Sequence, residues 1–163
     1  MKFEIIELTR LSGNKATVYS LLINDEELTL FDKFIEENDD NFSDEIDSIF
    51  DTLNKIGQKF GAKREFFKEN EGKLGDLVCA LYDTPNSNLR LYCIRLGNAV
   101  IILGSGGYKP KTIRALQEDA KLTQENYLLR QFSELLHHKM LEGEIYWNGD
   151  MELNGNLIID TDE

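Results

Sequence analysis

From Leu74 to Leu103 the apolar residues follow a period of two, in segments too short for helices. Leu74 to Tyr82, Asn88 to Arg95 and Ala99 to Leu103 read as three strands. Asp83-Thr84-Pro85-Asn86-Ser87 supplies turn chemistry between the first two, and Leu96-Gly97-Asn98 makes a short hairpin connection between the second and third. Three strands joined this way form an antiparallel meander. Its apolar side chains must be covered by other elements, and this restricts the chain to a layered fold.

The rest of the sequence supplies the cover. Residues 2–9 and 16–23 read as strands around the turn Ser12-Gly13-Asn14-Lys15, which predicts an N-terminal hairpin. Leu28, Phe31, Phe34 and Ile35 fall on one helical face that stops at Asn38-Asp39-Asp40-Asn41. Ser43 is the expected N-cap of a second helix, with Asp44 and Glu45 in its first turn. Ile46, Ile49, Phe50, Leu53, Ile56 and Phe60 form its stripe, and Gly61 its stop. Beyond Pro110 a helix is expected over Thr112 to Ala120. Another runs from Thr123, as N-cap, to about Glu142, carrying Tyr127, Leu128, Phe132, Leu135, Leu136 and Met140. The tail has turn signals at Asn148-Gly149 and Asn154-Gly155 and a strand in Leu157-Ile158-Ile159. The expected class is α+β: an N-terminal hairpin, two helices, an antiparallel β-meander packed against helices, a C-terminal helical extension and a small β-tail. At 163 residues the chain fits one domain, with a core over 1–122 and residues 123–163 as an extension of it.

No leader is legible in Met1 to Leu8, where charged and apolar residues alternate. The longest apolar runs fall far short of the roughly 20 residues that cross a bilayer. Cys79 and Cys93 lie in apolar strand-like segments and are expected as free thiols, which places the chain in the cytoplasm with no membrane role. A formal charge of −12 opposes indiscriminate binding to nucleic acid. The charge is unevenly spread. Asp25 to Asp51 holds twelve acidic residues and the single base Lys33, whereas Thr84 to Gln117 holds Arg90, Arg95, Lys109, Lys111 and Arg114 and no acid. The acidic stretches are solvated helix faces or a docking face for a basic partner.

Candidate chemistry falls in the acid-free stretch. Gly104-Ser105-Gly106-Gly107-Tyr108-Lys109-Pro110-Lys111-Thr112 follows an apolar strand and precedes a helix. It reads as a flexible turn bearing two lysines, or as an anion cradle in which the backbone N–H groups of Gly106 and Gly107 converge on a phosphate. It is not a nucleotide-binding P-loop, because Tyr108 and Pro110 precede the lysines where glycine is required. Arg90 and Tyr92, two apart on a strand, share a face that Arg95 does not. A guanidinium, a phenol and lysines are the parts needed to cleave RNA through its own 2′-hydroxyl, without a metal or a small-molecule cofactor. His137 and His138 diverge by about 100° on a helix, and Glu134 with His138 makes too few ligands for a metal site.

The order of elements, with Leu89-Arg90-Leu91-Tyr92-Cys93-Ile94-Arg95, Val100-Ile101-Ile102-Leu103 and Tyr108-Lys109-Pro110-Lys111-Thr112, resembles the RelE/HigB superfamily of bacterial toxins, especially its phage-derived HigB-like members. The likeness covers residues 74–120, and 1–73 through element order only. It implies a RelE-like fold and an mRNA endonuclease acting on the ribosome, held inactive by a helix-turn-helix antitoxin. Arg90 is then the phosphate-stabilising strand arginine, Lys109 and Lys111 the basic loop residues, and Tyr108 a catalytic aromatic. Tyr92, Arg95, Gly106, Gly107 and Arg114 would contact RNA. Members are usually small and basic, whereas this chain is longer and acidic, so its activity is expected as intact, weakened or lost. The alternative on the same fold is a non-catalytic module whose acidic helices dock a basic partner. The C-terminal extension is a candidate lid over the basic site.

Overall fold

The computed structural model describes residues 1–69, 77–109, 119–147 and 151–162. Strands β1 (Lys2–Glu7) and β2 (Thr17–Ile23) form the expected antiparallel hairpin, with Phe3 opposite Ile23 and Glu7 opposite Tyr19. Helix α1 (Leu30–Asn38) starts at Thr29. The Thr29 hydroxyl accepts the Asp32 N–H at 3.1 Å while the Asp32 carboxylate accepts the Thr29 N–H at 3.2 Å, a reciprocal capping box. Asn38 closes the helix by donating its side-chain amide to Phe34 O at 2.8 Å.

Helix α2 (Ser43–Lys55) takes Phe42 as its N-cap residue, and Ser43, expected as the cap, is the first helical residue. The apolar stripe continues into a π-helical turn, Ile56–Phe60, that ends at Gly61 with φ +79°. This widening has a local cause: a Cβ on Gly57 would sit 2.1 Å from Leu11 O. The bare Gly57 backbone instead receives the Lys15 and Ala16 N–H groups on its carbonyl at 2.9 and 3.2 Å, which ties the helix end to the β1–β2 connection.

Next comes a short 3-10 turn, Arg64–Phe66. The strands β3 (Phe67–Lys68), β4 (Val78–Leu81), β5 (Leu89–Leu96) and β6 (Val100–Tyr108) then form consecutive antiparallel pairs, of which the last three are the expected meander. Strand β6 runs parallel to β2, with Thr17 opposite Val100 and Ser20 opposite Leu103. Helix α3 (Ala120–Leu141) is followed by a two-stranded ribbon, β7 (Ile145–Tyr146) with β8 (Asn154–Gly155), and by β9 (Ile158–Asp160) on the outer side of β1. The seven-stranded sheet has the order β3-β4-β5-β6-β2-β1-β9.

Helices cover both faces. Phe31, Phe34, Ile46, Leu53 and Ile56 pack with Val18, Leu91, Cys93, Ile101 and Leu103 on one side. Leu129, Phe132 and Leu136 of α3 pack with Phe3, Leu21, Tyr92, Ile94 and Ile102 on the other. Burial on two faces explains why Val100 to Leu103 is continuously apolar rather than alternating. Helix α3 begins earlier than the expected Thr123 cap. Asp119 is the cap, accepting the Leu122 N–H at 2.7 Å, so Thr123 lies inside the helix. The helix expected over Thr112 to Ala120 lies outside the described residues as far as position 118, as do Leu74 to Asp76 of the first meander strand and the Asn148-Gly149 turn. Among the described residues no helix is long and apolar enough to cross a membrane. Cys79 and Cys93 are free, buried and directly opposite on β4 and β5, with sulfurs 3.6 Å apart, and burial pushes the Cys93 thiol well above its ordinary pKa.

The largest departure from the expected elements is at Gly104 to Gly107. These residues are not a turn after the strand; they are the second half of β6, paired with β5 through Gly106 opposite Leu91 and Gly107 opposite Arg90. A Cβ on Gly106 would lie 1.8 Å from Arg90 O, a backbone atom that cannot swing away. Gly106→Ala is therefore expected to force β5 and β6 apart at Arg90 and to destabilise the fold by about 1–3 kcal/mol, readable by urea denaturation. A variant as stable as wild type would contradict this pairing.

Candidate functional site

The register of β5 against β6 decides which side chains meet. Leu91 faces Gly106 but Cys93 faces Leu103, so two steps on β5 span three on β6, and the extra residue is a bulge at Gly104-Ser105. The bulge reverses the inside–outside order of everything after it. Gly107 faces α3, where its Cβ would meet Lys121 Cγ at 3.2 Å. Tyr108 goes to the opposite side and stacks on Phe42, with ring centroids 5.7 Å apart and planes 12° apart. Lys109 then returns to the side of Arg90.

Arg90 and Lys109 meet on Asp83, the first residue of the β4–β5 turn. Arg90 Nε donates to Asp83 Oδ2 at 3.2 Å, and Lys109 Nζ lies 3.2 Å from Asp83 Oδ1. Lys68 on β3 donates to the same Oδ1 at 2.7 Å. Three cations thus surround one carboxylate that is 8% exposed, while Lys68, Arg90 and Lys109 are 33%, 19% and 15% exposed. Lys109 also donates to Thr84 O at 2.9 Å and Ser87 Oγ at 3.2 Å. These two hydrogen bonds and the ion pair to Asp83 hold the turn against the end of β6. The start of β5 is fixed from the other side. The Glu45 carboxylate of α2 accepts the Asn88 and Leu89 N–H groups at 2.8 and 3.1 Å and the Asn88 side-chain amide at 2.6 Å.

Burial alone is the largest influence on Asp83 and pushes its carboxyl pKa up. The hydrogen bonds from Lys68 and Arg90 and the charges of Arg90 and Lys109 together reverse that, and the carboxyl lies below its ordinary value. Among the described residues three cations meet this one carboxylate, which holds no proton near neutrality. Asp83 is therefore a poor general base. It is a built-in anion held by cations from three parts of the chain.

The other expected site residues are dispersed. Tyr92 shares Arg90's face but is fully buried in the core under α3, out of reach of a polymer. Arg95 lies on the other face, as alternation requires, where it donates to Ala62 O and Asn98 Oδ1, each at 2.6 Å, with its guanidinium 6.0 Å from the Phe67 ring. It fastens loops together. Tyr108, 45% exposed, is separated from Arg90 by the sheet itself because of the bulge. Gly106 and Gly107 pair within a ladder and do not form a phosphate cradle. Lys111 and Arg114 lie outside the described residues. Sequence reading missed Lys68 and Asp83; Asp83 is the acid bordering the acid-free stretch, and that position was the available signal. Among the described residues of the tail, β9 joins the sheet at β1, at the opposite edge from β3 and β4. Among the described residues no three His, Cys, Asp or Glu side chains gather as metal ligands.

The depressed Asp83 pKa fixes a sign. Its contribution to stability is complete above the unfolded value, about pH 4, and is lost as the pH falls through the lower folded value. Asp83→Asn is expected to cost about 1–2 kcal/mol near neutrality, between the values for exposed and buried pairs. The gap from wild type should narrow as the pH falls below the unfolded value and through the depressed folded one. Urea melts across that range test this, and a gap that does not change with pH would refute it.

No known family model matches the chain, and comparison with curated proteins and with solved structures likewise finds no match.

Proposed function

We propose that this chain is a toxin-type protein akin to the RelE/HigB mRNA endonucleases, in which the phosphate-facing cations are held in a weakened state by Asp83. The observation that carries this reading is the convergence of Arg90 and Lys109, from different strands, on a single oxygen-bearing group at one end of the sheet. The element order, a hairpin, two helices and a meander, agrees with the one the resemblance implies. Cleavage in this class joins the RNA 2′-oxygen to phosphorus and releases the 5′-oxygen of the next nucleotide. The 2′-proton must be taken up and the leaving oxygen protonated. On this reading Arg90 steadies the extra negative charge on the phosphate, and lysines of the 109–111 segment carry the protons. Tyr108 has no part, being on the other side of the sheet. On this reading RNA must displace Asp83 to engage Arg90, so the expected activity is reduced rather than full. The proposed partners are ribosome-bound mRNA and a helix-turn-helix antitoxin.

Expression of three forms in a bacterial host tests the reading: wild type, Asp83→Asn, and Arg90→Ala/Lys109→Ala/Lys111→Ala. Growth and mRNA 5′-end mapping are the readouts. Asp83→Asn should cleave at least about tenfold more than wild type, since it frees a transition-state donor, and the triple variant should be inert. If neither wild type nor Asp83→Asn arrests growth or cuts mRNA, the enzymatic reading fails.

A further inference from the structure

On the face of the sheet away from α3, an open trough of about 700 Å³ runs between α1, α2 and the β1–β2 connection. Leu8, Ile35 and Phe50 line it, partly buried and packed over Phe31 and Leu11, and the exposed Leu28 adds a fourth apolar side chain. Glu7, Asp32 and Glu36 stand on its rim against one base, Arg10. The wider surface repeats this sign, with twelve acids and one base between Asp25 and Asp51.

We propose that this trough is a docking site for a basic amphipathic helix of a partner protein. An apolar floor between two helices accepts side chains spaced at i, i+3 or i+4, and i+7. A helix satisfies its own backbone, whereas an extended segment would need an open strand edge to pair with, and α1 and α2 present none. The rim selects charge. Lysine or arginine flanking the apolar stripe meets Glu7, Asp32 and Glu36, while nucleic acid and anionic lipid surfaces are repelled. A second copy of the chain is disfavoured for the same reason, because each copy carries a net charge of −12. The site is separate from the Asp83 cluster and stands without any nuclease activity.

The probe is a fluorescent 16-residue synthetic helix with leucine on one face and lysine on the other, together with its glutamate counterpart. Binding to the full-length chain is read by anisotropy, and folding of each variant is checked by thermal melting. Glu36→Lys changes the rim, Ile35→Ser the floor, and Glu134→Lys an exposed position on α3 across the sheet. The lysine peptide should bind, losing about tenfold with either trough variant and less than about twofold with Glu134→Lys, and the glutamate peptide should not bind. Equal losses from Glu36→Lys and Glu134→Lys would mean undirected attraction to an acidic protein and would overturn the proposal. Equal binding of the two peptides, or concentration-dependent dimerisation that Ile35→Ser abolishes, would overturn it as well. Should Ile35→Ser fail to fold, the surface substitution Glu36→Lys against Glu134→Lys still decides.

Discussion

The parallel pairing of β2 with β6 is the contact that makes one structure from two halves. Without it the sheet divides into β3-β4-β5-β6 and β2-β1-β9, each with an open edge at the junction and a split surface for the helices to cover. Thr17 to Ser20 against Val100 to Leu103 joins them. The junction is reinforced by Ser20, whose buried hydroxyl donates to Leu103 O at 2.7 Å and accepts the Phe31 N–H at 3.2 Å. That single side chain connects β2, β6 and the first turn of α1, and it satisfies one of the backbone donors a helix start leaves unpaired. Both helical layers then have a continuous surface to pack on.

The arrangement of charge follows from this layering. The acidic side chains of α1 and α2 lie on one side, while Lys68, Arg90 and Lys109 meet Asp83 toward the edge of the sheet opposite β9. The two regions do touch at one point, where Glu45 reaches over to the backbone of Asn88 and Leu89. The cations themselves are matched by Asp83 from their own turn rather than by the acidic helices. The backbone ordering this pairing needs is largely supplied by the strands, since Arg90 lies on β5, Lys109 directly follows β6 and Asp83 lies two residues past β4.

Much of this was legible in the sequence, in proportion to how local the cause is. The hairpin, the two N-terminal helices and the meander follow from periodicity and turn residues within each segment. The helix starts were displaced by small amounts: Asp119, as good a capping residue as Thr123, caps α3 four residues earlier, and α2 starts at Ser43 after Phe42 with no side-chain cap at all. The bulge at Gly104-Ser105 was not legible. Glycines after an apolar strand ordinarily signal a turn, and only the partner strand, approaching so closely at Arg90 O that no Cβ fits at Gly106, converts them to strand residues. The candidate site inherits that error. The meeting of Arg90 with Lys109 was expected from proximity in the chain, but Tyr108 changes sides with the inserted residue, and the role of Asp83 depends on Lys68, which joins through the edge pairing of β3 with β4.

Strand β9 seals the edge of β1, pairing Lys2 with Asp160 and Phe3 with Ile159, and the Met1 ammonium meets Asp162 at 2.8 Å. During vectorial synthesis β1 leaves the ribosome well before β9, and its outer row of peptide groups stays bare until β9 follows. For that interval the nascent sheet presents an open template to other chains. The alternating charges of β1, with Lys2, Glu4 and Glu7 among the apolar residues, are suited to discourage such pairing until the native strand arrives.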